Sequence, residues 1–82
     1  MPTAPSAEER RAMVLADFQE GINDQAALLR NPEAHTSALT DRVKAAEAKD
    51  LISAEDLREH LEWADAALAW AIEELLNREL NQ

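Results

Sequence analysis

SAEDLREHLEWADAALAWAIEELLNREL, residues 53–80, contains neither glycine nor proline. Its apolar residues recur every three or four positions, which predicts one continuous helix of about 40 Å at 1.5 Å per residue. The start is well marked. Ser53 suits an N-cap, and Asp56 stands three residues on, where a capping box more often has Glu or Gln. Ile52 before the cap and Leu57 after it can form a hydrophobic staple. Glu55 and Asp56 fall in the first turn, where the positive end of the helix dipole favours acids.

At about 100° per residue the helix carries two apolar faces. Leu57, Leu61, Ala64, Leu68, Ala71 and Leu75 make a leucine stripe, widened by Ile72 and Leu76. That pattern suits a core-facing helix and equally a coiled-coil seam. Trp63 and Trp70, the two tryptophans of the chain, are seven residues apart and share a face. This face is expected about 180° from the leucines. Ala66 and Ala67 lie between the rings, and Glu59, Glu62, Glu73 and Glu74 surround them. Two readings are open. Another helix of the same chain covers the rings, since tryptophan is highly buried on average. Or the rings anchor a contact with another protein, either a second copy or a foreign partner.

Upstream, Ser6 and Glu9 form a capping box, and Met1–Pro5 before them read as a disordered lead. A first helix is expected over residues 7–29. Its stripe is Val14, Leu15, Phe18, Ile22, Ala26 and Leu29, flanked by Met13 and Leu28. The single glycine, Gly21, lies inside it at a cost of about 1 kcal/mol relative to alanine. Because the stripe keeps its phase across Gly21, a continuous helix is favoured over a break near Asn23 or Asp24. Gly21 also suits a close helix crossing. Asn31-Pro32 ends this helix and starts a second over residues 32–49, with Leu39, Val43 and Ala46 as its core positions. A tight link then leads to the long helix over 53–80.

Eighty-two residues make one domain with a thin core, so a long helix with two apolar faces lacks cover within the chain. A second copy is the simplest cover for Leu75, Leu76 and Leu80, and a homodimer is expected. The net charge is −9, and residues 53–82 hold eight acids against two bases. Such a surface repels phosphates, so no direct nucleic-acid binding is expected, whereas a basic protein would be steered toward it. The longest apolar run, Ala66–Ile72, is far short of a membrane span, and the N-terminus has no signal-like apolar segment. No membrane contact and a cytoplasmic location are expected.

Little in the chain offers chemistry. With no cysteine, disulfides and thiolate zinc sites are excluded. His35 and His60 lie on different helices, and no Glu-x-x-His pairing completes a metal site. No serine stands in a nucleophile–His–carboxylate pattern, and one glycine cannot build a phosphate loop. Catalytic, cofactor-binding and metal-ligating residues are therefore expected to be absent, and the chain is not expected to be an enzyme. Acyl carrier proteins are similar in length, charge and helicity, but they carry their prosthetic group on a serine after an aspartate, and this chain has no Asp-Ser step.

The expected architecture is all-α: a small three-helix bundle, dimeric, with a long C-terminal helix after a lead over 1–5. The expected core is Val14, Phe18, Ile22, Leu29, Leu39, Val43, Leu57, Leu61, Leu68, Ile72 and Leu75. The expected function is a protein-interaction module, an adaptor or inhibitor of a larger partner. It would act through Trp63, Trp70, Glu59, Glu62, Glu73, Glu74 and Leu76. A nucleic-acid-mimicking inhibitor is the first alternative. Phage-encoded inhibitors of CRISPR complexes and some antitoxins are similar in composition, though no motif carries that likeness. A purely structural oligomerisation unit is the second.

Overall fold

The computed structural model describes residues 3–81. It is all-α, with α1 (Ala7–Asn23), α2 (Gln25–Arg30), α3 (Pro32–Ala48) and α4 (Ala54–Leu80), and no strand among the described residues. Of the expected lead, Met1 and Pro2 lie outside the described residues, and Thr3–Pro5 have no regular secondary structure.

Each helix start follows its local chemistry. Glu9 N–H donates to Ser6 Oγ at 3.1 Å, and Ala34 N–H donates to Asn31 Oδ1 at 3.2 Å, with Pro32 opening α3. The α4 capping box is complete: Asp56 N–H donates to Ser53 Oγ at 3.0 Å, and Ser53 N–H donates to Asp56 Oδ2 at 3.1 Å. At the other end of α3, Leu51 N–H donates to the Ala46 carbonyl and Asp50 N–H to the Glu47 carbonyl, both at 2.9 Å. This is the Schellman pattern, and Asp50 sits in the left-handed conformation it demands (φ 61°).

The continuous first helix over residues 7–29 does not form, so there are four helices rather than three. Asp24 (φ −80°, ψ 82°) leaves the helical region and turns its carboxylate onto Ala27 N–H at 3.1 Å, capping α2. A short acid that bonds the backbone locally competes with helix continuation, and here it wins over the apolar stripe. The break also resets the phase. Leu28 is fully buried, Leu29 only half so, and Ala26 is exposed.

Gly21 marks a close crossing of α1 over α3. A Cβ placed there would collide with Cδ2 of the buried Leu39. His35, also on α3, bonds through Nε2 to the Gly21 carbonyl at 2.8 Å. Since a carbonyl only accepts, the ring must carry its proton on Nε2. Farther along, Arg42 reaches Asp17 at 3.1 Å. The order 17–42, then 21–39 and 21–35, makes α3 antiparallel to α1. At the α4 face the order is Arg11 with Asp56, Phe18 with His60, and Leu28 near Trp70, so α1 and α2 run parallel to α4.

The core is Phe18, Leu39, Val43, Ala46, Ile52 and Ala64, with Leu28 and Ala71 also buried. The side of α4 turned inward is not centred on either expected face: it takes the alanine edge of the leucine stripe, Ala64 and Ala71, together with Asp56 and His60 on the side toward the tryptophans. Leu57, Leu61, Leu68 and Leu75 flank it on one side, half-buried, and the tryptophans flank it on the other. Ile72, expected in the core, is 41% exposed. Small residues along the middle of the stripe let the neighbouring helices approach closely, and the larger side chains then close over the edges. Beyond Leu75 no position of α4 is buried, and Leu80 is 81% exposed.

Candidate protein-binding surface

Trp63 and Trp70 project from α4 along its border with α1 and α2. His60 supports the first. Its ring is buried, donates from Nδ1 to the Asp56 carbonyl at 2.7 Å, and meets Phe18 edge-on with centroids 4.9 Å apart. Trp63 tilts onto the other side of His60 at 4.7 Å. The helical spacing puts His60 at the flank of the leucines, where an exposed or partly packed ring is expected. Instead His60 faces inward, because α1 packs over the stripe between the leucines and the tryptophans.

Trp63 rests against His60, and both rings stay partly open to solvent. Trp63 retains 41% of its accessible surface and Trp70 retains 37%. Two depressions lie between α4 and the α1–α2 corner. Gln19, Ile22, Trp63 and Ala66 line the first, of about 390 Å³. Asn23, Gln25, Leu28 and Trp70 line the second, of about 480 Å³. Ile22 and Ala67 border both, so the two adjoin.

Glu59 stands one turn before Trp63, and Glu73 one turn after Trp70; both are exposed. Neither is in an ion pair among the described residues. Glu74 is half-buried and lies 3.8 Å from Arg78. Glu62 is exposed and points about 100° round the helix from Trp63. Leu76, 53% exposed, belongs elsewhere: six residues beyond Trp70, it points about 120° round the helix, onto a ridge with Ile72 and Leu80. The expected site residues therefore divide between two surfaces. The wall supplied by Gln19, Ile22, Gln25 and Leu28 was not foreseen. The only signal for it was the apolar character of Ile22 and Leu28.

The surface is held in register by a contact at the start of α4. Arg11 donates from Nε to Asp56 Oδ2 at 2.9 Å and from Nη2 to Asp56 Oδ1 at 2.8 Å. The Arg11 guanidinium, together with the Ser53 N–H, holds the Asp56 carboxyl well below the usual carboxylate range. One aspartate thus caps α4 and ties it to α1.

No helix among the described residues is long and apolar enough to cross a membrane. Comparison with protein-family models, curated proteins and solved structures returned no match.

Proposed function

We propose that this chain is a protein-interaction module that docks onto a larger, basic protein through the tryptophan face of α4, as an adaptor or inhibitor. The observation that carries the reading is the state of Trp63 and Trp70. Trp63 rests on the buried His60 ring, and both tryptophans keep more than a third of their surface open beside exposed carboxylates. Tryptophans with a fixed geometry lose little entropy on binding and are the commonest anchors of protein interfaces. The net charge of the C-terminal segment speeds encounter with a positively charged partner. The test is capture on immobilised wild type and on Trp63→Ala and Trp70→Ala, followed by titration of the purified captured protein. A partner held by wild type and weakened at least tenfold by either substitution supports the reading. Equal capture by all three refutes it.

Self-association is a second reading, favoured by a separate observation. Ile72, Leu76 and Leu80 make an exposed aliphatic ridge where α4 outruns its neighbours. A homodimer would cover it with the same ridge of a second copy. Light scattering at micromolar concentration on wild type and Leu76→Glu tests this. A dimer that Leu76→Glu splits supports it, and a wild-type monomer refutes it.

A further inference from the structure

The chemistry of the groove narrows the segment of the partner it can take; this step rests on the docking reading above. A strand is a poor candidate. Strand addition needs an exposed sheet edge, and the described residues contain no sheet. What the surface offers is an open trough between α4 and the α1–α2 corner, where Ile22 and Ala67 border both halves beside Ala66, Trp63 and Trp70 stand on the α4 side, and Gln19, Asn23 and Gln25 add polar lining. Seven residues of helix separate those indoles, about 10 Å along the axis. Small side chains on the floor allow a second helix axis to come within about 8–10 Å. The two halves of the groove meet at Ile22 and Ala67 and are centred about three residues apart on α4. That separation is about 5 Å, close to one turn of a helix.

Charge sets the flanks. Glu59 lies beyond the Trp63 end and Glu73 beyond the Trp70 end, both exposed. Residues 53–82 hold eight acids and two bases, so a second acidic helix would be repelled. This argues against a second copy of α4 in the groove. We infer that the groove receives a basic amphipathic helix of the partner. Two aliphatic side chains one turn apart fill its halves, with arginine or lysine one turn outside them facing Glu59 and Glu73. Arginine is favoured, because its guanidinium can stack on an indole while bonding a carboxylate.

The probe is a phage-displayed library of random 16-residue peptides, selected on the wild-type chain. Enriched peptides are expected to show aliphatic residues at i and i+3 or i+4 with basic residues a turn to either side. A synthetic representative is then titrated calorimetrically. Trp63→Ala and Trp70→Ala should each weaken it at least tenfold, and Glu59→Gln with Glu73→Gln several-fold. Trp63→Leu, which keeps an apolar contact on His60, serves should Trp63→Ala fail to fold by circular dichroism. Enrichment of acidic or aperiodic peptides, no enrichment, or equal binding to the variants would overturn the inference. So would a wild-type dimer that Trp70→Ala converts to monomer, because a second copy would then fill the groove. The docking reading fails separately. A captured partner that depends on both tryptophans but presents no basic helix would leave that reading intact and overturn this one.

Discussion

Replacing Asp56 tests the claim that one carboxylate both caps α4 and fixes it to α1. Asp56→Ala removes the reciprocal bond with Ser53 N–H, the first-turn charge at the positive end of α4, and the bidentate contact with Arg11. Loss of a cap interaction costs about 1 kcal/mol, and loss of a favourable first-turn charge about 0.5 kcal/mol. The Arg11 contact adds a smaller part, because its side chain is 53% exposed and solvent screens it. The total is about 2 kcal/mol, which for a domain of this size lowers Tm by about 10 °C. Asp56→Asn keeps the shape and removes the charge, so it isolates the electrostatic share. A depressed folded-state pKa means that this share is present above the unfolded carboxylate value of about 3.9 and fades as pH falls below it. The Tm gap between wild type and Asp56→Asn should therefore be largest near pH 7 and shrink between pH 5 and pH 2. The assay is thermal unfolding followed by circular dichroism across that range. A loss of under about 2 °C for Asp56→Ala at pH 7, or an Asp56→Asn gap that persists unchanged to pH 2, would refute the reasoning.

Other substitutions probe the remaining joints. Gly21→Ala should lower stability by about 1 kcal/mol, since contact with the buried Leu39 outweighs the gain in helix propensity; a stabilised variant in urea unfolding would show that α1 and α3 are farther apart. Leu28→Ala should cost about 3 kcal/mol and Leu29→Ala about 1 kcal/mol, and the reverse order would restore the unbroken first helix. Asp50→Gly should raise stability by about 0.5 kcal/mol by relieving the left-handed conformation, with calorimetric Tm as the check. Binding of a basic partner should weaken as salt rises from 0.05 to 0.5 M without vanishing, because the indole contacts are apolar. Complete loss would instead favour a charge-only mimic.

The all-helical character and three of the helix starts were legible in the sequence because they rest on local chemistry. Ser6, Asn31 and Ser53 each bond a backbone N–H three residues away, and such bonds need no distant partner. The close crossing at Gly21 was also readable, since only glycine leaves room for Leu39. The break at Asp24 was not legible, because the apolar stripe keeps its phase across Gly21. Periodicity records which side chains are apolar, not whether a carboxylate will compete for the backbone.

Which face of α4 turns inward could be decided only by tertiary structure. Leucines and tryptophans both favour burial, and a helix flanked by both can satisfy neither fully. The packing settles on the narrow stripe of Ala64, Ala71 and His60, where helices can approach, and leaves the large side chains at the edges. The Arg11–Asp56 contact spans 45 residues, and nothing in the sequence pairs them. The sequence by itself determined the all-helical character, three of the helix starts, the acidity and the apolar residues available for contact. Burial is a property of the assembled helices, so only their packing decided that Trp63 and Trp70 would be half core and half surface.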